Sequence, residues 1–274
     1  MIVDAHFHCW QLARGDYGWL TPALASIYRD VRIADWAAEA APCGVRGGVL
    51  VQAAPTEAET AFLLATASAE DAVLGVVGWA DLLAADAPDR IARLAAEPKL
   101  KGLRPMLHDL PDPQWLLQPA LAPALRAMIE YGLVFDALVR PMHLAPLLEC
   151  CRRYPDLRVV VDHAAKPNIA AGEWQPWADD LACIARDTQA CCKLSGLLSE
   201  AGPAPATDSA RRWSEHVLAC FGAERVLWGS DWPVLELASS YRAWWDETQH
   251  VLAPLGDDGR AAVLGYTARR VYRL

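Results

Sequence analysis

Basic residues are scarce in this chain. Its 274 residues carry 25 Lys and Arg against 34 Asp and Glu, a formal net charge of −9. Nucleic acid and anionic membrane both want clustered Lys and Arg, so neither is an expected partner. No run of about 18 apolar residues is present, and no membrane-spanning helix is expected. Cysteine is not scarce, but no Cys-x-x-Cys pair occurs among Cys9, Cys43, Cys150, Cys151, Cys183, Cys191, Cys192 and Cys220. Neither a zinc ribbon nor a disulfide framework is therefore expected, and most of these thiols sit in apolar segments where burial is the natural reading. No signal peptide is seen ahead of the first apolar run, and a reducing cytoplasm is the expected compartment. No Gly-x-Ser-x-Gly elbow supports a serine hydrolase. No Gly-x-Gly-x-x-Gly or Walker loop supports a dinucleotide or a nucleoside triphosphate, and Gly47-Gly48 reads as a turn.

What is present is a rhythm. Short apolar runs recur at Ile2–His8, Val45–Val51, Val73–Trp79, Lys101–Met106, Leu133–Val139, Leu157–His163, Cys192–Leu197 and Arg225–Asp231. Amphipathic helical patterns lie between them, at Ala34–Ala41, Glu57–Glu70, Asp86–Glu97, Ala120–Tyr131, Met142–Tyr154, Trp177–Thr188 and Ser209–Phe221. Two more follow the last run, near Ser239–Val251 and Asp258–Tyr272. Strand alternating with helix calls for parallel strands joined by right-handed crossovers. Eight such units predict a single-domain (β/α)₈ barrel spanning residues 1–274, a size such barrels commonly have; a doubly wound open sheet is the alternative. Gly202-Pro203-Ala204-Pro205-Ala206 reads as a loop rather than a linker. The stretch Gln11–Ile33 reads as a long loop that walls the site. Twelve tryptophans are many for this length. Trp10, Trp19, Trp79, Trp115, Trp174, Trp177, Trp228 and Trp232 fall near strand ends or in loops, where they either pack or line a pocket.

Barrel enzymes assemble their sites from the C-terminal ends of several strands. Read in order, those ends hold His6 and His8, then Gln52, then Arg104 with His108 beyond it. Asp136 follows on the fifth strand, Asp162-His163 and Lys166 on the sixth, Lys193 and Ser195 on the seventh, and Asp231-Trp232 on the eighth. Polar groups in apolar strands are costly to bury without partners, so their gathering at one end implies function. His6 and His8, two apart on a strand, share a face.

The ordered set Asp-x-His-x-His at Asp4–His8, His163 on the sixth strand and Gly-Ser-Asp-Trp-Pro at Gly229–Pro233 resembles the amidohydrolase superfamily. Lys101-Gly102-Leu103-Arg104-Pro105, Asp162-His163-Ala164-Ala165-Lys166-Pro167, Lys193-Leu194-Ser195-Gly196-Leu197 and Ala268-Arg269-Arg270-Val271-Tyr272 resemble its sugar-lactone hydrolase branch. The likeness runs from residue 2 to residue 274. It implies ring opening of an aldonolactone, of L-fucono-, L-galactono- or L-rhamnono-type, with a small-molecule partner only. His6, His8, His163 and Asp231 are then the catalytic set, with Asp231 drawing a proton from the attacking water. The same four are the candidate ligands of one divalent ion, zinc.

One departure bears on that ion. Superfamily members with a firmly held metal usually place another His at the end of strand five, where this chain has Asp136; His143 lies too far into the next helix. This argues against a two-metal centre. The branch also contains metal-free members, so one zinc and none both stay open. Arg104, Lys166, His108, Gln52, Asp136 and Trp232 are the candidate substrate-binding residues, Asp136 either bonding substrate or holding Arg104. A lactonase for a muconolactone or pyrone carboxylate, a metal-dependent decarboxylase and a catalytically silent binding barrel are the rival readings. Assembly into a homo-oligomer is compatible with each.

Overall fold

A computed structural model of the chain describes residues 1–203, 206 and 208–274. The expected loop Gly202–Ala206 falls in part outside the described residues. Among those described, eight parallel strands follow one another in sequence order. They are β1 (Ile2–Phe7), β2 (Val45–Val51), β3 (Val73–Gly78), β4 (Leu100–Leu103), β5 (Val134–Ala137), β6 (Arg158–Val161), β7 (Cys191–Leu194) and β8 (Val226–Trp228). The ends of β8 and β1 meet, as Asp231 N donates to His6 O and His8 N donates to Trp232 O, each at 2.8 Å. The result is the expected (β/α)₈ barrel, nearly closed.

Inside the barrel, Val3, Ala5, Val49, Val51, Val77, Val134, Val160 and Leu227 form one buried cluster. Burying each valine stabilises the fold by roughly 1.5–3 kcal/mol. The last helix, Thr267–Tyr272, adds Ala268, Val271 and Tyr272 to that cluster. Outward residues such as Leu50, Val76 and Phe135 join the larger cluster under the helices.

β1 breaks the alternation where it matters. Its pairing with β2 shifts between Asp4 and Phe7, as at a β-bulge. Asp4 and Phe7 both turn outward: Trp36 Nε1 donates to Asp4 Oδ2 at 3.0 Å, and the Phe7 ring stacks 4.1 Å from the Trp36 ring. His6 and His8 turn inward. Gly47-Gly48 is strand, not the expected turn. A Cβ on Gly48 would stand 2.8 Å from the Asp4 carbonyl, so only glycine allows the bulged strand this close.

Two further expectations need correction. β7 ends at Leu194 rather than Leu197, because Gly196 is left-handed (φ 66°) and Leu197–Glu200 begins a short helix. The final helix does not run unbroken through Asp258–Tyr272; Ala262–Tyr266 forms a wider π turn. All eight cysteines are free, and six are buried. No helix of the described residues is long and apolar enough to cross a membrane.

Candidate active site

The site grows from strand ends. After β6 the chain takes an abrupt turn in which His163, Ala164, Ala165 and Lys166 all have φ between 49° and 62°. Non-glycine residues pay for that region, and the surroundings hold it. Trp177 Nε1 donates to Ala164 O at 2.7 Å, and Lys166 N donates to His163 O at 2.8 Å. The turn aims His163 into the barrel mouth, its Nδ1 2.9 Å from Ser195 Oγ. A Cβ on Gly196 would lie 2.7 Å from that same Nδ1, so the turn after β7 must carry glycine there. After β8, Asp231 is also left-handed, with φ 58°.

These turns bring four groups together. Asp231 Oδ1 lies 3.3 Å from His8 Nε2, 3.6 Å from His6 Nε2 and 3.8 Å from His163 Nε2. His6 Nε2 and His8 Nε2 are 3.2 Å apart. His8 Nδ1 donates to Val51 O at 2.7 Å, which fixes the ring so that its Nε2 faces Asp231. All four residues are buried.

Burial and charge set their protonation. Burial pushes His163 down to about 4. His6 lies well below the usual imidazole range, through burial and then the Lys193 charge. Burial opposes ionisation of Asp231, but His163 and the hydrogen bond from His8 outweigh it and hold the carboxyl well below its usual range. At neutral pH the centre is thus an ionised carboxylate facing neutral imidazoles at His6 and His163.

A cavity of about 210 Å³ opens over this centre. His8, Arg104, His163 and Asp231 form its floor; Trp19, Ala53, Met106, Leu138 and Val234 form its walls; His108, Asp109 and Lys166 stand at its rim. Two larger hollows, of about 510 and 520 Å³, lack such convergence. One lies by Arg158, Arg225 and Arg270, the other between helix surfaces near Arg90. The small cavity is the one on which the buried titratable groups converge.

The donor set fits an ion in type and spacing. Ligating atoms of His6, His163 and Asp231 lie within 4.8 Å of one another. The 3.2 Å between His6 Nε2 and His8 Nε2 is close to the roughly 3.3 Å expected between two nitrogens on a tetrahedral zinc.

The amidohydrolase family model matches residues 3–274. The chain belongs to the amidohydrolase family. It is 47% identical to an L-fucono-1,5-lactonase of Burkholderia ambifaria, over 99% of this chain and 95% of that protein. It is 31% identical to an L-fucono-1,5-lactonase of Burkholderia multivorans, over 99% of this chain and 96% of the relative. Among solved structures, an amidohydrolase from Burkholderia multivorans with bound zinc is similar with a TM-score of 0.93 and 31% identity, covering 100% of this chain and 99% of that one.

Within this amidohydrolase, the expected binding residues separate into two groups. Arg104, His108 and Lys166 line the cavity. Lys166 is ion-paired with Glu200. Burial, then Lys166 and Arg104, push His108 down to about 3, so it is neutral. Gln52, Asp136 and Trp232 do not line the cavity. Gln52 sits behind Arg104: its Nε2 donates to Arg104 O at 2.9 Å, and Arg104 Nη2 donates to Gln52 Oε1 at 3.2 Å and to the Gln52 carbonyl. Asp136 holds Lys193 and Tyr272 rather than Arg104. Trp232 is buried, its Nε1 donating to Glu236 at 2.7 Å. Of the tryptophans singled out, Trp19 is the one that lines this cavity, its Nε1 held by Ala53 O at 2.7 Å. It comes from the long loop after β1. His143 is buried elsewhere, accepting from Arg140 N.

Two supporting groups of the amidohydrolase site were not assigned from sequence. Glu59 accepts from Ala53 N at 3.0 Å and Ala54 N at 2.5 Å, fixing the wall after β2; burial raises it to about 7. Lys193 lies inside the barrel, 2.5 Å from Asp136 Oδ2, 3.0 Å from Asp162 Oδ1 and 3.2 Å from His6 Nδ1. A lysine in an apolar strand was the available signal.

Proposed function

We propose that this amidohydrolase is a hydrolase acting through one catalytic domain, residues 1–274, to open a sugar lactone to its hydroxy acid. The observation that carries the reading is the meeting of ionised Asp231 with His6, His8 and His163 beneath a cavity the size of one small ring. The names of the two relatives support an aldonolactone, with L-fucono-1,5-lactone first.

In this reading Asp231 orients the attacking water and draws its proton as the water adds to the lactone carbonyl. A carboxylate held so far down keeps that proton only briefly. Asp231 then returns that proton to the leaving ring oxygen. His8 and His163 face the carbonyl and its developing oxyanion, while His6 supports them from beneath the cavity floor. Arg104 offers a planar donor fork to a hydroxyl or the carbonyl, and Lys166 and His108 meet hydroxyls at the rim. The apolar wall of Met106, Leu138 and Val234 suits the less polar face of the ring.

A divalent ion, zinc, would be held by His6, His8, His163 and Asp231, and when bound would supply a Lewis acid for the carbonyl. The protein's own groups provide the proton transfers described above. A dicarboxylate pyrone fits less well, because among the described residues Arg104 is the only arginine lining the cavity and Lys166 is already paired. Eight free thiols support a reducing cytoplasm.

A pH-indicator screen across aldonolactones, with and without chelator, tests the reading. Acid release should be fastest from L-fucono-1,5-lactone. Turnover of pyrone dicarboxylates alone, or carbon dioxide release from aromatic acids without lactone opening, would overturn it.

A further inference from the structure

Basic side chains gather at the end of the barrel opposite the site. The eight strands are parallel, so their starts share that end. Arg158 is the first residue of β6, and Arg225 directly precedes β8. Arg270, on the final helix Thr267–Tyr272, joins them around the hollow of about 510 Å³. In a chain of net charge −9, three guanidiniums around one hollow stand against the overall sign.

Protein groups hold these guanidiniums without neutralising them. Arg225 Nη1 donates to Ala185 O at 2.8 Å and to Thr188 O at 3.1 Å. Arg270 Nη2 donates to the Glu224 carbonyl at 2.5 Å. Backbone carbonyls fix direction but carry no net charge, and each guanidinium keeps further N–H donors. The Arg158 side chain is half-buried and has neither hydrogen bond nor ion pair among the described residues. Burial, then the charge of Arg273, lowers it from the usual guanidinium range. Burial raises the Cys191 thiol in the same lining, and Arg270 and then Arg225 oppose that, so both charges stand near the sulfur. Asp156 and Glu224 also line the hollow, yet neither carboxylate is ion-paired among the described residues. A half-buried charge without a counterion is destabilising, and a bound anion relieves it.

We propose that this hollow binds phosphate, as the free ion or as the terminal group of a small phosphate monoester. A carboxylate presents one face to one planar fork, whereas a tetrahedral phosphate presents oxygens to several. Arg158, Arg225 and Arg270 approach from three separate elements, as such an oxyanion allows. The hollow is larger than a bare phosphate and falls within the range of small-ligand sites, about 300–1,000 Å³. Leu157, Val159 and Val271 supply an apolar face for the remainder of an ester. The site lies at the other end of the barrel from Asp231 and does not depend on the lactone reading.

Calorimetric titration of the full chain at low salt, with inorganic phosphate and separately with phenyl phosphate, tests the proposal. At least one should bind saturably, with a Kd below about 1 mM. Tighter binding of phenyl phosphate identifies a monoester as the ligand class; equal or weaker binding identifies the free ion. Arg270→Gln, and the double variant Arg158→Gln with Arg270→Gln, should keep the circular dichroism spectrum and weaken binding by about tenfold or more. Arg225 stays unmodified, because its bonds to Ala185 and Thr188 hold the approach to β7. Should the double variant fail to fold, Arg270→Gln alone decides, since that side chain is exposed. Absence of saturable binding by either anion overturns the proposal. So does binding that the folded variants retain at full strength, which would place the anion elsewhere, as beside Arg104 in the small cavity.

Discussion

Asp4 and Ser230 tie the first strand to the turn that carries Asp231. Asp4 Oδ1 accepts from Ser230 N at 2.8 Å, and Oδ2 accepts from Ser230 Oγ at 2.6 Å. Trp36 Nε1 and Tyr241 OH also donate to Asp4, at 3.0 and 3.1 Å. The first acid of the Asp-x-His-x-His run therefore faces the helices and holds the Asp231 turn from behind. Asp4→Ala would leave these buried donors without an acceptor. It should cost about 3 kcal/mol in urea unfolding and lower activity with it. An unchanged midpoint would show that the turn holds itself.

Asp231→Asn keeps the size and left-handed tolerance of the residue but removes the proposed base. Its circular dichroism spectrum should match that of the unmodified chain. Lactone turnover should fall by about 10³-fold. Retained turnover would remove Asp231 from the chemistry.

The pH profile follows from His163. Its proton affinity is pushed down to about 4, so it is neutral at physiological pH, while Asp231 is ionised. As pH falls through about 4, His163 gains a proton and the carboxylate faces an imidazolium instead of a neutral ring. That pairing lowers the basicity of Asp231 further. The ratio kcat/KM should therefore hold from neutrality down to about pH 5 and drop below about 4. An acid limb near 6.5, the value of a solvated imidazole, would contradict the burial of His163.

Arg104 and Lys166 both line the cavity, yet they should differ in weight. Arg104 is buried and braced by Gln52 and Asp162. Arg104→Lys loses the planar fork and should lower kcat/KM by about 10²-fold. Lys166 is half-buried and paired with Glu200. Lys166→Met should change KM by only about threefold, since such rim pairs contribute little. Initial rates on one lactone decide both; equal effects would mean that the rim, not the floor, orients the ring.

The barrel was legible in the sequence because its cause is local. Apolar runs and amphipathic segments alternate along the chain, and that alternation dictates parallel strands with crossovers. His6, His8, His163 and Asp231 were legible as polar residues at strand ends. Asp136 and Trp232 occupy equally suggestive positions, but the fold turns them elsewhere: one beneath the floor toward Lys193, the other toward Glu236.

By itself, then, the sequence determined the order of the strands, the end of the barrel at which polar side chains gather and which residues those are. Tertiary structure decided which of those residues face the cavity and which hold others in place. The bulge that turns Asp4 outward and His6 inward depends on the close approach of Gly48 on a neighbouring strand. Lys193 meets His6 across 187 positions of chain. Such pairings arise when strands distant in sequence close around a common axis and every buried donor must find an acceptor, a condition that local periodicity does not encode.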